Sequence, residues 1–187
     1  NMLCSAGMIA AVEELPLARV LALASSLHGV RGRLEPVAGH PAGARIYVDY
    51  AHTPDALDTV LAALRPGTAG RLGVIFGCGG DRDRAKRPLM AAAACRHADL
   101  VWLTDDNPRT ENPAAIRREA LAGCICAVEI GDRRQAIRTA IAALGSDDVL
   151  VIAGKGHEAG QTVGTTVLPF DDAEEARAAI AMLGGQA

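Results

Sequence analysis

From Arg33 onward the chain alternates short apolar, β-branched runs with longer Ala-rich amphipathic stretches. This alternation predicts strands over 44–50, 72–77, 100–104, 126–130 and 149–153, and helices over 54–64, 87–96, 113–122 and 133–144, with a final helix over 172–183. Thr53-Pro54 reads as an N-cap followed by a first-turn proline, Pro113 opens its helix in the same way, and the polar loop before Arg87 is expected to cap the helix it precedes. The strands lack polar alternation and each is separated from the next by a helix, so the fold class is α/β, a doubly wound, mostly parallel sheet covered on both faces.

Before this pattern, residues 1–14 and 17–28 read as two short helices broken at Leu15-Pro16, because the residue before a proline is driven out of the helical region. The run from His28 to Pro36 holds two glycines and a proline and reads as a linker, which predicts a short segment, 1–31, followed by a domain, 32–187. Asn1 leads straight into apolar periodicity without a cap, so further residues are expected upstream.

Composition narrows the classes. With 187 residues, 50% hydrophobic and 22% charged, the chain can bury the core of one full domain. The net charge is −3 with both signs interspersed, which leaves no basic face for nucleic acid. No apolar run approaches the roughly 20 residues of a membrane span, and the start has no signal-peptide pattern, so a cytoplasmic location is expected. The five cysteines (4, 78, 95, 124, 126) form no paired Cys-x-x-Cys pattern and read as reduced, mostly buried thiols with no metal.

Four polar clusters each follow a strand, where ligands of open α/β sheets sit. Gly77-Cys78-Gly79-Gly80-Asp81-Arg82-Asp83-Arg84 joins glycines, which allow close backbone approach, to arginines able to fork a carboxylate. It is neither a Walker loop nor a dinucleotide fingerprint, and on chemistry alone it also fits a solvated charged turn. Asp105-Asp106-Asn107-Pro108-Arg109 places carboxylates, an amide and a guanidinium together, a set suited to a zwitterion, although Asn-Pro is also an ordinary turn. Gly154-Lys155-Gly156-His157-Glu158 brings backbone and an acid near a ligand cation, and His157 has no nucleophile to activate. In Asp49-Tyr50-Ala51-His52, Asp49 suits ribose hydroxyls and His52 a base or phosphate.

Together with Gly32-Arg33-Leu34-Glu35, these clusters in this order resemble the Mur ligase family over residues 32–158. The resemblance implies a Rossmann-like carboxy-terminal domain that receives the incoming amino acid, preceded by the last helices of a central ATPase domain. It implies that Arg82, Asp106, Asn107, Pro108, Arg109, Gly154 and Glu158 line a meso-diaminopimelate site, with Arg109 gripping a carboxylate and Glu158 an ammonium. The Asp-Asn-Pro-Arg form is the one associated with diaminopimelate; lysine has no second carboxylate for Arg109 to pair with. Arg33, Asp49 and His52 match positions that reach the nucleotide. The resemblance further implies ATP and Mg2+ as the full enzyme's cofactors, UDP-MurNAc-L-Ala-D-Glu as its other substrate, and an acyl phosphate intermediate. The family's Asn-x-x-Asn adenine contact has Cys4 in its second place here. No catalytic or metal-binding residue is assigned to the chain, and without a phosphate loop it is expected to be inactive alone.

Three other readings compete. A stand-alone amino-acid-binding module would keep the cleft and need no ATPase. A folate-type or cyanophycin-type ligase is disfavoured by the Asp-Asn-Pro-Arg loop, and a nucleotide-binding oxidoreductase by the missing glycine fingerprint.

Overall fold

The computed structural model describes residues 2–23 and 29–184. The chain divides into two compact units, Asn1–Val30 and Arg31–Ala187. The first holds α1 (Met2–Val12) and α2 (Leu17–Ala22), broken at Leu15-Pro16 as the proline requires. Of the second helix expected here, residues 24–28 lie outside the described residues, as does Asn1.

The second unit runs β1 (Glu35–Val37), β2 (Arg45–Asp49), α3 (Pro54–Leu64), β3 (Leu72–Cys78), α4 (Lys86–His97), β4 (Leu100–Asp105), α5 (Pro113–Leu121), β5 (Val128–Glu129), α6 (Arg133–Ala142), β6 (Val149–Ala153), β7 (Gly160–Val163), β8 (Thr166–Pro169) and α7 (Asp172–Gly184). A six-stranded sheet has the order β1-β2-β6-β3-β4-β5, parallel except for β1, and β7-β8 form a separate antiparallel hairpin. The doubly wound α/β architecture expected from the sequence is present.

Period-two alternation sorts the strand side chains onto two cores. Val74 and Phe76 of β3 face one side, with Leu57 and Leu61 of α3, Met90 and Ala94 of α4 and Ile116 of α5. Ile75 faces the other, with Ile137 and Ile141 of α6 and Ala176 and Ile180 of α7. All five residues of β6 are buried, as a central strand demands. The caps agree with the sequence: Thr53 Oγ1 accepts from Ala56 N and Asn112 Oδ1 from Ala115 N, each ahead of a first-turn proline.

Several expectations need correction. The N-cap of α4 is Ala85, which has no side-chain oxygen to offer, so the preceding polar loop does not cap that helix. β5 keeps only two residues, both exposed, because a tight turn with Ala127 N donating to Cys124 O takes up the start of the expected strand. β1 and the β7-β8 hairpin have no counterpart among the strands expected from the sequence. Only Cys78 and Cys124 of the five cysteines are buried; Cys4 and Cys126 are exposed and Cys95 is intermediate.

The topology positions the polar loops. β6 is the last parallel strand in the chain, yet it inserts between β2 and β3. Its carboxyl end therefore delivers residues 154–158 between the loops that follow β2 and β3, the crevice where the winding reverses.

Candidate amino-acid-binding cleft

At that crevice lies an open cleft of about 430 Å³, walled by Tyr50 and His52 after β2, Gly77 and Cys78 at the end of β3 with Gly79, Arg82 and Asp83 after it, Lys86, Arg87 and Met90 of α4, Asp106, Asn107 and Arg109 after β4, and Gly154 and Glu158 after β6. The fold thus brings together six of the seven residues expected at the amino-acid site. Pro108 stands apart: it faces a neighbouring groove, and its carbonyl oxygen packs on Gly80, where a Cβ would fall 1.9 Å away. The absence of a side chain at Gly80 lets the two loops touch.

Polar bonds fix the walls. Asn107 Nδ2 donates to Glu158 Oε2 (3.0 Å), while Asn107 Oδ1 accepts from Lys155 Nζ (2.9 Å) and Thr162 N (2.9 Å). Lys155 is fully buried and also donates to Gly160 O (2.8 Å). Burial pushes its ammonium below the usual lysine value, and Asp106, whose Oδ1 lies 3.2 Å away as an ion pair without aligned hydrogen-bond geometry, opposes that shift. One buried lysine therefore ties the loops after β4 and β6 together.

Below the cleft Arg87, 1% exposed, forks Glu111 (3.0 and 2.6 Å) and reaches Glu119 Oε2 (2.7 Å) and Gly79 O (3.3 Å). Glu111 in turn accepts from Asp81 N (2.7 Å), and Thr110 Oγ1 donates to Asp81 Oδ1 (2.7 Å). Hydrogen bonds from Arg87 first, and from Asp81 N second, hold the Glu111 carboxyl below its usual range. These contacts lock the glycine loop to the Asn-Pro-Arg loop.

Arg109 sits in the left-handed region (φ 50°), a costly conformation for a non-glycine residue. Its backbone is pinned by the hairpin, with Arg109 N donating to Thr162 O (3.1 Å) and Gly164 N donating to Arg109 O (2.7 Å). Its guanidinium donates to Gly80 O (2.8 Å) and is paired with no carboxylate among the described residues. Arg82, exposed at the rim, donates to Asp81 O (3.1 Å) and is likewise without a carboxylate.

The residues matched to the nucleotide lie along one edge. The Arg33 guanidinium lies 4.9 Å above the Tyr50 ring, which is flanked by His52 (4.5 Å) and His157 (5.2 Å between ring centroids). His52 Nδ1 donates to Tyr50 O (2.8 Å). Asp49 is buried, and its two oxygens accept from Leu34 N (2.8 Å) and Ala51 N (2.9 Å), which orders the turn beneath this edge.

The arrangement suits binding better than covalent chemistry. The one thiol in the wall, Cys78, is pushed up to about 12 by burial first and by Asp106 second, so it stays protonated and unreactive. What remains is a guanidinium and a carboxylate at fixed positions, the chemistry that recognises a zwitterion. Sequence reasoning passed over Tyr50, Arg87 and Lys155. The Gly-Lys-Gly pattern after the last strand was the available signal for Lys155; Arg87 was hidden in a charge run, and burial alone singles it out.

Residues 32–156 match the family model described as Mur ligase, glutamate ligase domain, and the chain belongs to the Mur ligase family. Two relatives named UDP-N-acetylmuramoyl-L-alanyl-D-glutamate--2,6-diaminopimelate ligase, from Chelativorans sp. and Mesorhizobium japonicum, are 56% and 54% identical over 180 residues, 96% of this chain. The chain spans 37% of the length of each. A solved structure of a ligase with that name superposes with a TM-score of 0.79 at 40% identity, covering 95% of this chain and 37% of its own. A Thermotoga maritima UDP-N-acetylmuramate-alanine ligase shares the fold, with a TM-score of 0.65 at 18% identity over 96% of this chain and 36% of its own.

Proposed function

We propose that this chain is the amino-acid-receiving part of an ATP-dependent ligase that joins meso-diaminopimelate to UDP-MurNAc-L-Ala-D-Glu in peptidoglycan precursor synthesis. The observation that carries the reading is Arg109, which the hairpin and Gly80 hold in the cleft with no carboxylate of its own among the described residues. Arg109 takes the carboxylate of the distal amino-acid centre, Glu158 the ammonium, and Arg82 stands at the entrance. Asp106, Asn107 and Gly154 shape the wall, while Pro108 sets the turn that presents Arg109. Diaminopimelate carries the second carboxylate that lysine lacks, which makes Arg109 the selective element.

Residues 32–187 form the receiving domain, and residues 1–31 are the end of a central ATPase domain that supplies most of the ATP and Mg2+ site. Arg33 and His52 have the exposure and chemistry to reach the nucleotide, and Asp49 supports them through the backbone it binds. ATP activates the peptide carboxylate as an acyl phosphate, which the incoming amine attacks; the chain's own contribution is to position that amine. The soluble substrates put the enzyme in the cytoplasm.

Calorimetric titration of the chain with meso-diaminopimelate, with L-lysine as control, tests the reading. Saturable binding of diaminopimelate alone is expected, weakened roughly ten- to hundredfold in Arg109→Ala, the factor for losing a charge-assisted pair of about 1.5–3 kcal/mol. Equal binding of lysine, or unchanged affinity in Arg109→Ala, would refute it.

A further inference from the structure

Away from the cleft, three thiols converge. Cys95 lies on α4 near its carboxyl end, and Cys124 and Cys126 lie on the turn that follows α5. Cys95 Sγ is 3.2 Å from Cys126 Sγ, Cys124 Sγ is 3.5 Å from Cys126 Sγ, and all three sulfurs lie within 4.8 Å of one another. We propose that Cys95, Cys124 and Cys126 form a site for one thiophilic metal ion of the Zn2+ or Cu+ class, at a place that the diaminopimelate reading does not use.

Three observations support this. Sulfurs bound to one ion at about 2.3 Å in tetrahedral directions stand about 3.8 Å apart; two of the separations here, 3.2 and 3.5 Å, lie just inside that spacing, and the third is no more than 4.8 Å. The backbone is built to bring the turn in: a Cβ on Gly123 would fall 1.9 Å from Pro88 O and 3.0 Å from Ala92 N, so a glycine is what lets the turn press against α4. Within the turn, Ile125 projects outward at 95% exposure while the cysteines on either side converge on Cys95.

A disulfide would use two of these thiols and leave the third idle, whereas three soft donors around one point match a thiolate metal site. Cys124 is buried and Cys126 exposed, so the site has a closed floor and an open side where water or an added ligand completes the coordination. On binding, three S–H bonds are exchanged for three S–metal bonds and the protons pass to solvent. The ion would clamp the turn to α4, whose other end walls the cleft about 13 Å away at 1.5 Å per residue from Lys86 to Cys95.

The test uses the full 187-residue chain, reduced and freed of metal. Zn2+ is titrated against a chromophoric chelator, and Cd2+ is added separately to read sulfur-to-metal charge-transfer absorption. One Zn2+ per chain, a charge-transfer band with Cd2+ and a rise in Tm on Zn2+ addition are expected. Cys126→Ser, at an exposed position that folding tolerates, and Cys95→Ser should each weaken binding at least tenfold and abolish the band, while Cys4→Ser should leave both intact. Failure of the reduced wild type to take up Zn2+, or binding and a Cd2+ band that survive Cys126→Ser, would overturn the proposal. An air-oxidised Cys95–Cys126 bond in a chain that takes up no metal when reduced would make the cluster a redox pair instead, and would overturn it equally.

Discussion

Replacing Asp172 with Asn should unfold the domain more readily than any surface change. Asp172 opens α7 and meets Arg133 of α6 through two bonds, 2.8 Å to Nε and 2.7 Å to Nη2, with both side chains at 0% exposure. Arg133 Nη2 also donates to Ala153 O (3.0 Å), at the end of β6, and Nη1 has no partner among the described residues. Burial works against the Arg133 charge, yet the Asp172 charge and its hydrogen bonds outweigh it, so the guanidinium keeps its charge. In Asp172→Asn a buried guanidinium keeps Ala153 O and a single amide oxygen, meets an NH2 donor in place of the second carboxylate oxygen and loses its counter-charge, a change that costs about 3–5 kcal/mol. With a urea dependence of about 2 kcal/mol per M, the midpoint should fall by about 2 M. Arg133→Met combined with Asp172→Leu removes both charges, and the double variant should recover to within about 1–2 kcal/mol of the wild type. Urea unfolding of the three chains followed by circular dichroism measures this; a loss below about 1 kcal/mol in Asp172→Asn would refute the reasoning.

Two further changes probe other parts of the frame. Asp148 accepts from Arg71 N, Nε and Nη2 and from Gly145 N, and these bonds, the Arg71 side chain first, hold its carboxyl at about 2. Because the folded value is depressed below the ordinary 3.8, its stabilisation is complete above about pH 4 and is lost as pH falls toward 2. Asp148→Asn should therefore flatten the acid limb of stability measured from pH 6 to 2, and an unchanged limb would count against it. Gly80→Ala sets a Cβ against Pro108 O, whereas Gly67→Ala meets nothing within 4 Å. The first should cost about 1–3 kcal/mol and weaken diaminopimelate binding, the second neither, as thermal melts and titration would show; equal melts would remove the case for a close loop contact.

Much of this was legible in the sequence, for identifiable reasons. The extents of α3 and β6 agree with the sequence pattern because Thr53-Pro54 signals a helix start and a fully apolar five-residue run signals a central strand. The site loops stand out because glycines and charges directly after apolar runs fall, in a doubly wound sheet, at the carboxyl ends of strands where the crevice opens. Long-range geometry was not legible. β1 is three residues long and its pairing with β2 depends on register, not on its own pattern. The hairpin residues are polar or partly exposed on both faces, so they carry no periodicity that distinguishes them from a loop. The thiol cluster joins positions on two elements with the spacing of no local motif, and it is tertiary packing, including the close approach of Gly123 to Pro88 and Ala92, that brings them together.

If Arg109 reads the ligand as proposed, its bond pair with the hairpin would place the control of selectivity outside the ligand's reach. The guanidinium that would read the distal carboxylate hangs from a backbone whose conformation is set by Thr162 and Gly164. Residues 160–169 can therefore drift in side chain while the main-chain bonds persist, and any change that shifts the hairpin register would re-aim Arg109 without altering a single lining residue. Under the proposed reading, the hairpin would be a second dial beside the cleft itself for redesigning the amino acid accepted. It is one that a comparison confined to lining residues would overlook.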